Sequence, residues 1–186
     1  MRGEGDVDQG VEHEPSAGIL DRLLLRQAFG TFATGVTVVT TGGTEPHAMT
    51  ANSFTSVSLD PPLVLVSVDR RALMHHALPA TGLFAVSVLA ADQEEVARHF
   101  ADPTRTRGVT EFDTVDWLPG RCSGVPLIQG ALAQFECELW RTYDGGDHSI
   151  FVGRLLSADW RSDDEALLFL NGRFRRLAPV PIQVVT

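Results

Sequence analysis

A turn-forming segment that ends in an acid and a histidine is the part of this sequence best suited to chemistry. Residues 145–148 read Gly-Gly-Asp-His and lie between two β-rich runs, 131–140 and 149–153. Paired glycines supply the positive-φ backbone that a tight hairpin requires, so we expect His148 to open the returning strand beside Asp147. A histidine at the beginning of a strand can face a ligand. A plain hairpin turn with a surface histidine has the same pattern, so the motif alone leaves both interpretations open.

A second candidate is the segment 50–58, Thr-Ala-Asn-Ser-Phe-Thr-Ser-Val-Ser, which is unusually rich in small hydrogen-bonding side chains for a strand. Hydroxyl and carboxamide groups donate and accept hydrogen bonds without carrying charge. Such groups suit a heteroaromatic ring whose edge alternates N–H and C=O groups. The alternative interpretation is a solvated edge strand, in which Thr and Ser are merely tolerated.

Arginine-containing segments offer candidate anion sites. Residues 67–71, Ser-Val-Asp-Arg-Arg, follow an apolar run, and a forked guanidinium at a strand end could hold a phosphate. Residues 98–100, Arg-His-Phe, end a predicted helix, where cations also suit the helix dipole. Arginines at 173, 175 and 176 form a further basic group. A solvated charge cluster is the alternative interpretation for these segments.

Composition and the lack of other motifs exclude several classes of protein. The chain of 186 residues has a net charge of −9, which argues against nucleic acid and anionic membranes as partners. Cys122 and Cys137 form neither a disulfide framework nor a zinc spacing, and the adjacent His75 and His76 would point apart on a helix. Catalytic elbows, zinc-protease motifs and nucleotide-binding glycine loops are absent from the sequence. With no visible secretory signal and a longest apolar run of only 61–66, we expect a cytoplasmic protein.

Short strands with a few helices between them organise the chain. Residues 1–18 are acidic and glycine-rich, which predicts a disordered tail before one domain over 19–180. Irregular strand spacing without sustained βαβ alternation favours a mostly β, antiparallel barrel with accessory helices over a doubly wound sheet. The pattern predicts helices near 19–29, 72–78 and 92–100, and strands near 36–41, 47–58, 63–68, 83–89, 130–143, 148–160 and 166–170.

Three finer expectations concern individual elements. The continuous apolar run from Leu63 to Val68 predicts a strand buried on both faces. Asp92 followed by Glu95 fits a capping box at a helix start. Residues 101–123 have the composition of a long polar loop.

Taken in order, these segments resemble the flavin reductase family of small split-barrel proteins, the reductase components of two-component flavin monooxygenases. Each stretch is weak alone, but together they cover about residues 20–177 in the family's order. The matching stretches are 29–40 (FGTFATGVTVVT), 49–65 (MTANSFTSVSLDPPLVL), 84–89 (FAVSVL), 98–100 (RHF), 145–148 (GGDH) and 168–174 (LFLNGRF).

The resemblance implies a split β-barrel homodimer with FMN or FAD bound near the dimer interface. It places Thr50, Asn52 and Ser53 against the isoalloxazine, with His47 and Met49 preceding them in the same segment. It places Ser67, Val68 and Asp69 along the ribityl and phosphate region, His99 and Phe100 over the flavin, and His148 beside the nicotinamide. The predicted cofactor-binding set is completed by Arg71, Asp147 and Arg173.

The implied activity is hydride transfer from NADH or NADPH to N5 of the flavin, which then passes in reduced form to a partner flavin-dependent monooxygenase. Because the cofactors carry this reaction, His148 is assigned to positioning the nicotinamide rather than to an obligatory proton transfer. Ala72 stands where many members have a serine near the phosphate, so the choice between FMN and FAD stays open. The alternatives are a flavin- or haem-binding split barrel without reductase turnover and a small oxidase that uses bound flavin.

Overall fold

The computed structural model describes residues 21–162 and 165–177, and the predicted tail, residues 1–18, lies outside them. The helices in this part of the chain are α1 (Arg22–Gly30), α2 (Leu73–Thr81), α3 (Glu94–Ala101) and a 3-10 helix, η1 (Gly108–Phe112). The strands are β1 (Thr34–Gly35), β2 (Thr37–Thr41), β3 (His47–Ala51), β4 (Thr55–Leu59), β5 (Pro62–Asp69), β6 (Leu83–Val88), β7 (Trp117–Pro119), β8 (Pro126–Ile128), β9 (Ala133–Gly145), β10 (His148–Trp160), β11 (Leu168–Leu170) and β12 (Arg173–Arg175). Among these elements, none of the helices has the length and apolar character needed to cross a membrane.

Seven strands form one antiparallel sheet in the order β3-β2-β6-β9-β10-β5-β4. Its two edge strands, β3 and β4, follow each other in the chain and are joined only by residues 52–54. Because the four peptide steps from Ala51 to Thr55 reach at most about 14 Å, the opposite edges of the sheet meet there and the sheet curls into a barrel. We call residues 52–54 the seam. The predicted mostly β, antiparallel fold with short flanking helices is confirmed.

Two hydrophobic clusters cover the two faces of this sheet. All five residues of β2 are buried, with Val39 in one cluster and Val38 in the other, as the side-chain alternation of a strand requires. The first cluster joins the sheet to α2, and its fully buried members include Val39, Val66, Met74, Leu78, Phe84, Val86 and Cys137. The second joins the sheet to α3 and η1 through Val36, Val38, Ala48, Leu89, Ala97, Phe100, Phe112, Ile128 and Leu167.

The hairpin of β9 and β10 has two strands of 13 residues each. Strand β6 pairs with β9 only from Ala133 to Glu138, whereas β5 accompanies β10 as far as His148. Among the strands, only β5 therefore accompanies the hairpin to its tip, where Arg22 of α1 also lies 3.4 Å from Asp147 Oδ2. Close packing further down requires a glycine, because a Cβ atom on Gly153 would lie 2.4 Å from the ring of the buried Phe84.

The apolar run predicted that strand β5 would be buried on both faces, but only one face is fully buried. Its alternate valines at 64, 66 and 68 are buried, but Leu65, Ser67 and Asp69 on the other face are half-buried. A run of apolar residues reports hydrophobicity and not which face other elements cover. The predicted strand over 47–58 is also divided, because the chain crosses the seam between β3 and β4.

Helix α3 does not begin with a capping box, so the prediction for Asp92 was wrong. Gln93 is the N-cap residue and makes no side-chain capping bond. Its amide accepts a hydrogen bond from the Ala90 N–H (3.0 Å) and donates one to the Gln129 carbonyl (2.7 Å). The Gln93 side chain therefore bonds to the segment before β9 and does not cap the helix.

Candidate functional site

The tip of the β9–β10 hairpin carries the predicted acid and histidine. Gly145 pairs with His148, so the turn consists of Gly146 and Asp147. Gly146 has φ +75°, whereas Asp147 does not have a positive φ, and this pattern fits a type II′ turn. The predicted hairpin is confirmed, although only one glycine of the pair supplies the left-handed backbone.

Asp147 orients the ring of His148. The Nδ1 atom lies 2.7 Å from Asp147 Oδ1, and this hydrogen bond holds the pKa of Asp147 below its usual range. An ionised carboxylate can only accept a hydrogen bond, so Nδ1 carries a proton. Nε2 has no partner among the described residues, and the side chain is 40% exposed. The imidazole is therefore available to a ligand through Nε2.

Two predicted residues of β5 lie on the same face as His148. In the antiparallel register Asp69 pairs with His148 and Ser67 pairs with Ile150, and directly paired residues project to the same side of a sheet. Arg71 binds the Asp69 carboxylate through Nε (3.1 Å) and Nη2 (2.7 Å). This bidentate pairing holds the pKa of Asp69 well below its usual range, so its carboxylate stays ionised beside the histidine.

Ser53 connects the seam to this face. Its hydroxyl donates to the Ser67 carbonyl (2.8 Å) and accepts from the Ser67 N–H (3.1 Å). These two bonds fix the seam against β5. The neighbouring Asn52 is exposed, and its carboxamide makes no hydrogen bond to the residues that the structure describes. It therefore has both a donor and an acceptor available to a ligand.

A cleft of about 200 Å³ opens at Asn52. Phe169 and Phe174, whose ring centroids are 5.4 Å apart across the β11–β12 hairpin, contribute two aromatic rings to its lining. The Thr50 hydroxyl donates to the Ala97 carbonyl (2.7 Å) and ties β3 to α3 there. The remaining lining residues are Val36, Ala51 and Ala101. An apolar cleft with one free carboxamide suits a flat heteroaromatic ring.

The sequence of this chain matches proteins of one family over most of its length. Residues 29–178 match the flavin reductase like domain. The chain is 60% identical over 159 residues to an NADH-dependent FAD reductase of Streptomyces globisporus, and the aligned region covers 86% of this chain and 87% of that protein. It is 46% identical over 170 residues to an NADH-dependent flavin reductase of a Rhodococcus species, covering 87% and 92% of the two chains. The chain belongs to the flavin reductase-like family.

Solved structures of the flavin reductase-like family share the fold. An NADH:FAD oxidoreductase of Streptomyces globisporus, in complex with NAD and FAD fragments, superposes with a TM-score of 0.82 at 58% identity and covers 86% of this chain and 94% of that one. The flavin reductase component of a bacterial two-component tryptophan halogenase gives the same TM-score, 0.82, at 58% identity over 86% of this chain and all of that one. The resemblance predicted from the sequence is confirmed.

Several residues assigned to the cofactor from the family resemblance lie in the interior. Val68 and Phe100 are each 1% exposed and belong to the two hydrophobic clusters. Met49 packs, partly buried, against the first cluster. His47 is 8% exposed and bonds through Nδ1 to Glu111 Oε1 at 3.0 Å. In this structure these side chains support the strands that carry the cleft.

The predicted polar loop over 101–123 contains η1 and β7, and it covers the edge of β3. Glu111 is fully buried, and its carboxylate accepts hydrogen bonds from the Ala48 N–H (3.1 Å) and from Arg105 Nε (3.0 Å). His99 bonds through Nε2 to the Glu111 carbonyl (2.7 Å). No local spacing in the sequence indicates this cluster, since its members come from separate segments.

The aromatic lining of the cleft was not predicted from the sequence. Arg173, by contrast, was predicted to bind the cofactor, and it lies exposed on β12 next to Phe174. A signal for the aromatic pair was present, because Asn171 (φ +51°) and Gly172 (φ +73°) form the two-residue turn of a hairpin. Such a turn places Phe169 and Phe174 opposite each other.

Proposed function

We propose that the protein is an NADH-dependent flavin reductase that transfers hydride from NADH to FMN or FAD and supplies reduced flavin to a flavin-dependent monooxygenase. The NADH-dependent reductases described above support this activity, and the reductase component of the tryptophan halogenase supports a partner enzyme that uses reduced flavin. The observation that carries the proposal is the continuity of one face of the barrel. The hydrogen bonds between Ser53 and Ser67 connect the cleft at Asn52 to the paired Asp69 and His148.

A bound flavin would supply the hydride-accepting chemistry of the site. The free carboxamide of Asn52 would pair with the polar edge of its ring, while the apolar lining of the cleft would cover the ring. Ser53 would act by fixing the seam, since its hydroxyl is already bonded to Ser67. Arg71 and Arg173 are the exposed cations that would meet a phosphate.

His148 would position the nicotinamide. Asp147 fixes the proton on Nδ1, which leaves Nε2 facing a ligand. A neutral ring would accept a hydrogen bond at Nε2 and a protonated ring would donate one. Neither role requires a proton to move, since hydride passes between the two cofactors when they are held in contact.

We also propose a homodimer, and α1 supports it. The predicted helix is present, and Asp21 caps it by accepting a hydrogen bond from the Leu23 N–H (2.8 Å). None of its residues is buried, Leu23 and Phe29 on the helix are 66% and 71% exposed, and Phe32 just after the helix is 77% exposed. Large apolar side chains grouped on an unburied helix are typical of an interaction surface, and a second copy meets the same surface in a two-fold dimer. Light scattering at micromolar concentration tests this proposal, and an active monomer would contradict it.

We further propose that residues 19–180 form one domain, that residues 1–18 are a tail outside it, and that the protein is cytoplasmic. The family match over 29–178 supports these domain bounds. The composition of the tail supports its exclusion, because it has little apolar surface to offset the entropy of ordering. Deleting residues 1–18 should therefore leave NADH oxidation and flavin affinity unchanged.

Steady-state NADH oxidation with added FMN, FAD or riboflavin tests the activity, with NADPH as the second donor. A flavin- or haem-binding protein without reductase turnover would oxidise neither donor with any of these flavins. In the same assay, His148→Ala should raise the KM for NADH, lower kcat, or both, with flavin affinity little changed. His76→Ala, at an exposed position on α2, is the matched control and should match the wild type. Wild-type kinetics in His148→Ala would remove the nicotinamide role from this residue.

Asn52→Ala tests the flavin end of the site. Loss of one hydrogen-bonding partner of a buried ring edge costs about 1–3 kcal/mol, so the Kd for flavin should rise by about 5- to 150-fold. The Tm of the flavin-free protein should change little, because Asn52 has no hydrogen bond to the residues that the structure describes. Unchanged flavin affinity with a large fall in Tm would show a structural residue.

A further inference from the structure

Arg70 binds the tip of the β9–β10 hairpin from the neighbouring strand β5. Its side chain donates from Nε to the Gly146 carbonyl (2.9 Å) and from Nη2 to Asp144 Oδ2 (2.8 Å). Its main-chain N–H donates to the Asp147 carbonyl (3.0 Å). One residue therefore contacts three of the four residues from Asp144 to Asp147. We call this set of contacts the tip clamp.

Beyond the tip clamp, the support of the hairpin tip is weak: Arg22 of α1 lies 3.4 Å from Asp147 Oδ2, and both side chains are mostly exposed. The turn has only two residues, and β6 does not accompany β9 this far along the hairpin. The second oxygen of Asp144 accepts a hydrogen bond from the Gly146 N–H (2.8 Å). The carboxylate thus joins the arginine to the turn from both sides. A planar guanidinium with several donors in fixed directions suits such a contact, whereas an ammonium group can satisfy only part of it.

The adjacent arginines have different partners in the structure. Arg71 is paired with Asp69 on its own strand, and its side chain is 77% exposed. The side chain of Arg70 is 43% exposed and is directed to the hairpin. Of the two arginines, Arg70 therefore stabilises the turn, whereas Arg71 is the more exposed to solvent.

We infer that Arg70 is a positioning residue for nicotinamide binding. By holding Gly146 and the Asp147 carbonyl, it fixes the turn from which Asp147 orients the imidazole of His148. This inference rests on the proposed function, which assigns His148 to the nicotinamide. Arg70 itself touches neither cofactor in this assignment and acts through the turn.

Steady-state kinetics of Arg70→Ala test the inference. We expect kcat/KM for NADH to fall by about tenfold, as for the loss of one or two charge-assisted hydrogen bonds that hold a binding group. The Kd for flavin should stay within about twofold of the wild-type value. The main-chain bond to Asp147 survives the substitution, so the hairpin should still form. Arg70→Lys should recover part of the loss, because it retains a donor without the fork.

Two controls separate this role from general destabilisation. Arg154→Ala removes another arginine of the same hairpin, one that pairs with Glu138 away from the tip and is 51% exposed. It should leave the kinetics unchanged. Arg70→Ala should also change the chemical shifts of the His148 imidazole in NMR spectra recorded at one pH, because the position of Asp147 relative to the ring would no longer be fixed.

A double-mutant cycle decides whether Arg70 acts through His148. If it does, Arg70→Ala should cost little in a His148→Ala background, because the group that it positions is absent. Full additivity of the two losses would overturn the inference, and so would wild-type NADH kinetics in Arg70→Ala. Wild-type kinetics in His148→Ala alone would instead contradict the proposed function. The two failures are therefore distinguishable.

Discussion

Replacing Glu111 by Gln should destabilise the fold out of proportion to the chemical change. The Glu111 side chain is fully buried, and one oxygen contacts both His47 Nδ1 (3.0 Å) and the Ala48 N–H (3.1 Å). The other oxygen accepts from Nε of Arg105 (3.0 Å), whose side chain is only 11% exposed. The substitution keeps the volume and one carbonyl acceptor but removes the charge that compensates this buried guanidinium.

The expected magnitude follows from burial. Removing one partner of a buried ion pair costs about 3–5 kcal/mol, because the other charge is left buried without compensation. Arg105 keeps bonds to the carbonyls of Asp102 and Ala48, so we expect the lower end of this range. A loss of about 3 kcal/mol lowers the Tm of a domain of this size by about 6–12 °C. Thermal unfolding by circular dichroism and urea denaturation of the flavin-free protein would measure it.

Glu94→Gln is the matched control. Glu94 also pairs with an arginine, Arg98, but at i,i+4 on α3 with side chains 34% and 64% exposed. Such exposed pairs contribute about 0.3–0.5 kcal/mol, which corresponds to a change in Tm of about 2 °C or less. Equal shifts in the two variants would refute the reasoning, since they would show that burial adds nothing to the pair of Glu111. A large shift only in Glu111→Gln would support it.

Three further predictions concern other parts of the molecule. Iodoacetamide should label Cys122 in the native protein and Cys137 only after denaturation, because burial raises the pKa of the Cys137 thiol to about 12; mass spectrometry showing two labels on the native chain would be inconsistent with this. Asp69→Asn should lower the Tm at neutral pH, and this deficit should shrink as the pH falls below about 4, because a carboxyl group with a lowered pKa loses its contribution to stability between its ordinary pKa and the lowered one; a deficit of the same size at neutral pH and at about pH 2 would argue against the ion pair as its cause. Gly153→Ala should destabilise by about 1–3 kcal/mol in urea denaturation, since its Cβ would overlap a buried ring, whereas Gly35→Ala, at a position with open space, should have no such effect.

The hairpin could be predicted from the sequence because the information that forms it is local. Gly146 supplies the positive φ, and the residues on each side have strand composition. The same holds for α1, where Asp21 immediately precedes the helix and caps it. The pairing of Asp147 with His148 also needs only adjacent residues. Short-range patterns of this kind specify an element and the side chains at its ends.

The surroundings of β3 could not be predicted in this way. Glu111 lies 64 residues from His47, and Arg105 lies 57 residues from Ala48, so no periodicity within one element relates them. The family resemblance assigned His47 to the cofactor, and the sequence therefore could not show that a buried carboxylate already binds it. Phe100 was also assigned from the resemblance, and its burial in the second hydrophobic cluster depends on how α3 packs on the sheet.

The position of the candidate site follows from how the sheet closes. Within β3 and β4 the backbone pairs with β2 and β5, but residues 52–54 lie outside both strand ladders because there the chain passes from one edge of the sheet to the other. Polar groups at such a crossing are not all used by strand pairing, and Asn52 retains a free carboxamide there. Ser53 anchors the crossing to Ser67, two residues before the strand end that faces His148. The carboxamide that the proposed function assigns to the flavin therefore lies where strand pairing is interrupted, and Ser53 connects this point to the strand whose end pairs with the hairpin tip.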